Sequence, residues 1–268
     1  MMKKTVLFVA AAVFATATFA QDGLTSKKGE AYLPEAGDWA IGFDATPFMD
    51  YASNGNLPTA GWVANNRPMT IVGKMFKDES TAYRAKVRIG FGSSSSDALI
   101  DTNASGFGAP QYLTNSASAS NFNITLGGGL EKRKGNTRLQ GFYGAEALIS
   151  FGSTGSTNDY EAALSDNYNP GPRVTEITNG STLALQIRSF IGVEYFFAPK
   201  ISISAEYGWG LMLSSTGGGE VTTESFGLAD ASATANSLIT TTAETGGSGS
   251  FGIDTDNNGG VLTLMFHF

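Results

Sequence analysis

The chain has 268 residues, no cysteine, and 24 acids against 17 bases for a net charge of −7. The lack of cysteine excludes a disulfide scaffold. The acidity argues against nucleic acid as a partner, since phosphate contacts need clustered Lys and Arg. Past residue 20 no apolar run approaches the roughly 20 residues that a transmembrane helix needs, so the apolar content has to work through short alternating strands.

Lys3 and Lys4, the apolar run Thr5 to Phe14 and small residues up to Ala20 read as a secretory signal peptide over residues 1–20. Its removal takes Lys3 and Lys4 away and moves the net charge from −7 to −9. Residues 21–37 (QDGLTSKKGEAYLPEAG) are polar and carry Pro34, which suggests a periplasmic N-terminal extension able to tuck into the mouth of the fold. Residues 38–268 then carry eight alternating stretches, each with an apolar and a polar face.

The first, Asp38 to Thr46, puts Trp39, Ile41 and Phe43 opposite Gly42 and Asp44. The second, Met69 to Phe76, opposes Ile71 and Met75 to Lys74. After the turn Lys77 to Ser80, the third alternates Tyr83, Ala85, Val87, Ile89 and Phe91 with Arg84, Lys86, Arg88 and Gly90. Three cations on one face and five apolar residues on the other cannot form the core strand of a soluble sheet without acids facing them. The fourth, Asn121 to Glu131, follows a Ser, Ala and Asn-rich stretch from Gly92 to Ala119 read as a loop. The turn Lys132 to Thr137 leads into the fifth, where Leu139, Tyr143 and Ile149 oppose Arg138 and Glu146.

A further loop is expected over Gly152 to Ser181. The sixth stretch opposes Leu185, Ile187 and Val193 to Arg188 and Glu194, and the turn Ala198 to Lys200 leads to the seventh, in which Ile201, Ile203, Tyr207 and Trp209 oppose Ser202, Ser204 and Glu206. Ser214 to Asn258 reads as the longest loop, before the last strand, Gly259 to Phe268 (GGVLTLMFHF). That strand has an apolar face of Leu262, Leu264, Phe266 and Phe268, with His267 on the other side.

Short and long connections alternate, and the charges of the strands lie opposite the apolar face. The expectation is an all-β fold: an eight-stranded antiparallel up-and-down transmembrane β-barrel with short periplasmic turns and long extracellular loops, set in a bacterial outer membrane. Asp44, Lys74, Arg84, Lys86, Arg88, Glu131, Arg138, Glu146, Arg188, Glu194 and Glu206 then form an ion-pair network in the lumen. An eight-stranded barrel is just wide enough for side chains to fill, so a packed interior is expected ahead of a narrow conduit for ions or small solutes. The expected external loops are acidic, with Arg67 and Arg173 as their only bases, which would suit cation binding or surface adhesion.

The chain resembles the small outer-membrane β-barrel superfamily of the OmpA/OmpX transmembrane type, on its signal peptide, its alternating strands and the closing LTLMFHF. The resemblance implies that Leu262, Leu264, Phe266 and Phe268 form the assembly signal read by the outer-membrane insertion machinery. It also implies outer-membrane lipid as the surrounding partner; a separate expectation is a passive subunit of a larger outer-membrane complex, with the lipid-facing flank or the long loops as its interface. No peptidoglycan-binding domain is expected after the last strand.

Enzymatic chemistry is not expected. The only histidine is His267, at the wrong end of the last strand to activate a nucleophile near the external leaflet. One local motif offers a cofactor, calcium: in DTDNNG, Asp254, Asp256, Asn258 and Gly259 match the first half of an EF-hand loop, but Met265 stands where its closing Glu belongs.

Overall fold

A computed structural model describes residues 24–45, 63–64, 67–68, 70–101, 112–253 and 261–268. Its fourteen strands are β1 (Trp39–Asp44), β2 (Val63–Ala64), β3 (Arg67–Pro68), β4 (Ile71–Asp78), β5 (Thr81–Asp101), β6 (Tyr112–Lys134) and β7 (Leu139–Tyr160). There follow β8 (Arg173–Thr178), β9 (Thr182–Ala198), β10 (Ile201–Thr216), β11 (Gly219–Gly227), β12 (Ser237–Thr245), β13 (Ser248–Ile253) and β14 (Val261–His267). Twelve of them make one antiparallel sheet, and β2 and β3 pair separately.

Within that sheet the pairings of β1, β4, β5, β6, β7, β9, β10 and β14 return to their start, because β14 pairs with both β10 and β1. The circuit is also displaced. Phe43 faces Ile71, then Val87, Leu126, Ile149, Leu185 and finally Leu213 on β10. In the other direction Phe43 faces Leu264, which faces Ile203, so the two routes reach β10 ten residues apart. Eight strands about 4.8 Å apart that close with that displacement, at about 3.3 Å per residue, are tilted by about 40° to the axis of the ring.

Strand tilt also sets heights: each strand carries a perpendicular line about 3 Å further from the end where the short turns lie. That turn end holds the connections Asp78 to Thr81, Lys134 to Leu139 and Ala198 to Ile201. The extension is folded against it. Gly37 N–H donates to Phe76 O at 2.8 Å, Pro34 is buried, and the Arg138 guanidinium stacks 3.7 Å from the Tyr32 ring. Asp38 pairs with Lys200 across the same end at 2.5 Å. Burial pushes the Asp38 carboxyl up, but the hydrogen bond from the Glu35 amide and the Lys200 ammonium outweigh it, and the carboxyl sits below its ordinary range.

The stretches expected as loops are corrected at the other end. Gly92 to Asp101 pairs residue for residue with Tyr112 to Asn121, so β5 and β6 run on as one long hairpin. The stretch Gly152 to Ser181 contains the end of β7 and all of β8, and Ser214 to Asn258 contains β11, β12 and β13. Both faces of these extensions are wet, so the alternation that marks a half-buried strand is missing while the backbone pairing persists. Met69, most of the connection between the first two expected strands (residues 48–67, expected as an external loop) and the calcium motif Asp254, Asp256 and Asn258 lie outside the described residues.

Candidate functional site: a charged plug under an open cup

Inside the ring the side chains at the turn end form a plug. Glu194, 0% exposed, takes Lys74 Nζ at 3.2 Å and Arg133 Nη1 at 2.7 Å. Glu131 takes the same two cations at 3.0 and 2.8 Å. A second tier joins Arg84 and Arg188 to Glu206 at 2.7 and 2.9 Å, and Lys86 to Glu146 at 2.6 Å; Arg188 also pairs with Glu146. Arg84 links the tiers, reaching Glu131 at 3.4 Å.

Aromatic rings fill between the charges. The Arg84 guanidinium lies 4.0 Å from the Phe190 ring centroid and Lys74 Nζ 4.8 Å from that of Phe142, while Arg133 sits near Phe76 and Phe196. Cations over rings are desolvated without being left bare. A buried charge tolerates this interior because each acid is shared by two or more cations, which offsets the loss of water.

Sequence alternation puts Lys74, Arg84, Lys86, Arg188, Glu131, Glu146, Glu194 and Glu206 on the inner face, where the structure joins them. Two residues named with them stand apart: Arg138 lies at the turn end over Tyr32, and Arg88 makes no ion pair with any of the described residues. Asp44 is buried on the inner face of β1. Arg133 was missed, because KRKGNT reads as an exposed turn. Its signal was the phase of β6, in which Glu131 and Arg133 share a face and pair with each other. Gln140 completes the site, accepting hydrogen bonds from Arg133 Nε and Nη2 at 3.0 and 2.7 Å.

Ser202, His267 and Glu194 meet in the lowest layer. The Ser202 hydroxyl donates to Glu194 Oε1, so His267 Nε2, 3.0 Å from Ser202 Oγ, carries the proton of that contact. His267 Nδ1 has no hydrogen-bond partner. A nucleophile and its base need the reverse, with the acid on Nδ1 and Nε2 free to take the hydroxyl proton. Both His267 and Ser202 are buried, and Phe76 and Phe196 flank the imidazole at 5.7 and 5.1 Å. The trio supplies packing and hydrogen bonds. Leu262, Leu264 and Phe266, by contrast, take the outer face of β14, and the exposed Phe268 ring stacks on Trp39 at 4.6 Å.

Burial of the inner face changes with height. Below Glu146 and Arg188 the inward side chains are buried, whereas Arg88, Asn123, Thr125, Ser150 and Gln186 above them are partly exposed. The ring is therefore a cup, closed at the turn end and floored by charge.

No protein-family model matches the chain, and no curated protein matches it in sequence. Among solved structures it is similar to the crystal structure of the outer membrane protein OprG from Pseudomonas aeruginosa, at 9% identity and a TM-score of 0.31, over 88% of this chain and 98% of that one. So loose a likeness decides neither fold nor function.

Proposed function

We propose that the protein is an integral outer-membrane β-barrel of eight spanning strands, with a lumen closed to passage and a structural or surface-interaction role carried by the β-structure above the membrane. The outer margin of its apolar belt carries this reading. Phe91, Phe122, Phe151, Leu183 and Leu213 are all exposed on the outer face; Phe91 and Phe122 are cross-strand partners, as are Phe151 and Leu183, but the two pairs lie on different perpendicular lines and Leu213 on a third. Corrected for a tilt of about 40°, they fall within about 5 Å of a single height.

The next outward residue beyond each is a serine: Ser93, Ser120, Ser153, Ser181 and Ser215. A soluble sheet has no reason to change from apolar to hydroxyl at one level on five strands, whereas a bilayer edge imposes it. From that margin down to Tyr83 on β5 or Tyr195 on β9 the belt is about 20 to 30 Å tall, which brackets the roughly 25 Å of an outer-membrane barrel. Trp39, Phe268, Tyr83 and Tyr143 supply the aromatic girdle at the lower edge, with exposed Lys132 and Lys134 beyond it.

The plug supports closure over a conduit, because both tiers of charge and the Phe142, Phe190 and Phe196 rings cross the lumen at the turn end. Full-length protein is expected to float with phosphatidylcholine vesicles and resist carbonate extraction, and to show no steady conductance in planar bilayers. Recovery in the soluble fraction would overturn the membrane reading. A stable open channel would overturn closure and favour the narrow-porin alternative.

A further inference from the structure

Every other inward cation of the ring is matched: Lys74, Arg84, Lys86, Arg133 and Arg188 each have a carboxylate within 4.0 Å. Among the described residues Arg88 is the exception. It lies one inward position above Lys86 on β5, half-buried, and its Nε is shielded from solvent with no hydrogen-bond partner. Asp44 is the acid whose charge bears on it, yet the two make no ion pair. A guanidinium has five N–H donors in a fixed fork and cannot shed its proton, so leaving it unpaired in a barrel wall is costly.

Its surroundings are made for an acceptor. Arg88 is the cross-strand partner of Thr125, which is the partner of Ser150, and the two hydroxyls are 2.7 Å apart. The three polar groups thus form a row across β5, β6 and β7 on the inner wall of the cup. Space adjoins them: a Cβ built on Gly90, the next inward residue above Arg88, meets nothing nearer than 3.9 Å. No carboxylate of the described residues makes an ion pair or hydrogen bond with this row.

We propose that Arg88, Thr125 and Ser150 form a binding site for a small oxyanion, the carboxylate or phosphate group of a solute that enters the cup from its open end. The guanidinium takes two oxygens side by side, which a Lys ammonium cannot do, and one hydroxyl of the bonded Thr125–Ser150 pair, its proton not used between them, donates to a third. Lys86, with a side chain 12% exposed against 3% for Lys74 and Arg84, adds positive charge beneath. That the solute comes from outside the cell rests on the outer-membrane reading, but binding itself does not.

The test is calorimetric titration of the full chain in detergent micelles, at constant ionic strength, with sodium phosphate, sodium acetate and sodium chloride as separate arms. Saturable heat with phosphate or acetate and none with chloride is expected, and the stronger of the first two identifies the source of the oxyanion. Arg88→Gln is expected to weaken binding at least tenfold, and Arg88→Lys less.

Without added anion, Arg88→Gln is expected to melt no lower than the unsubstituted protein, since it removes an unmatched charge. Unchanged titration in Arg88→Gln, heat equal for chloride, or a lowered melting temperature of ion-free Arg88→Gln would each overturn the site. The last would show Arg88 to be structural. Because micelles replace the bilayer, failure of vesicle flotation would refute the membrane reading and leave this result standing.

Discussion

Glu194 shows how the interior tolerates charge. Its two oxygens meet Lys74, Arg133, Ser202 and His267, and its side chain has no exposure to bulk solvent. Such a group is worth little when its whole neighbourhood is compared with an apolar one, but its loss alone strands the partners. Glu194→Gln leaves Lys74 and Arg133 to share Glu131. It is expected to destabilise the fold by about 3 to 5 kcal/mol, read from urea unfolding in micelles. Lys74→Met made in the same chain should return about 1 to 3 kcal/mol of that loss through the coupling of the pair. Strict additivity of the two substitutions would mean that the plug residues do not act as a unit. Ser202 and His267 follow the same logic, since their contacts orient the carboxylate rather than activate a nucleophile.

At the scale of elements the weak point is the seam where β1 meets β14, five residue pairs long. Gly42 lies there, and a Cβ on it would stand 2.1 Å from Met265 Sδ and 2.7 Å from Leu264 O. The thioether can move, but the carbonyl belongs to the partner strand. Gly42→Val is expected to keep the ring from closing, so that unboiled protein loses its compact migration on gels and fails to float with vesicles. Gly73→Ala on β4, where the nearest atom is 4.0 Å away, should behave as the unsubstituted chain does; equal behaviour of the two variants would mean that closure does not depend on close approach at the seam. The parts of the strands within the ring were legible in the sequence, because an apolar outer face and a charged inner face force a period of two, as in Tyr83 to Phe91 against Arg84 to Gly90. The outer ends were not. Ser93 to Asp101 and Ser116 to Tyr112 are paired strands that face water on both sides, and nothing selects an alternation there. Arg133 was hidden for a related reason: a cation next to Lys132 and Lys134 reads as part of a solvated turn, and only pairing with Glu131 and Glu194 across the lumen shows it to be interior.

On the outer-membrane reading proposed above, the whole molecule joins two environments along single strands. β6 has 23 residues and β7 has 22, about twice the 9 to 11 that a bilayer-spanning strand needs, and more than a third of each strand lies from the serine margin outward, in a sheet with β8, β11 and β12. Membrane and surface parts share one hydrogen-bonded frame, and the boundary between them is chemical. Substitutions on the same outer face should therefore change their cost abruptly with height. Ile187, 66% exposed, lies near mid-belt on β9, and Ile187→Arg places a guanidinium in lipid at a cost of about 2 to 4 kcal/mol. Ser118 on β6 lies two outward positions beyond Phe122, where the hydroxyl of Thr157 and, on β8, the carboxylate-bearing Glu176 are its polar neighbours, so Ser118→Arg enters a polar surface rather than an apolar one. Reversible unfolding in vesicles should show the loss for the first variant and a change within about 0.5 kcal/mol for the second. In micelles, where detergent adapts to the added charge, the gap between the two should shrink. A soluble barrel would show the same small cost at both positions in both media, and that result would remove the bilayer from the explanation of the belt.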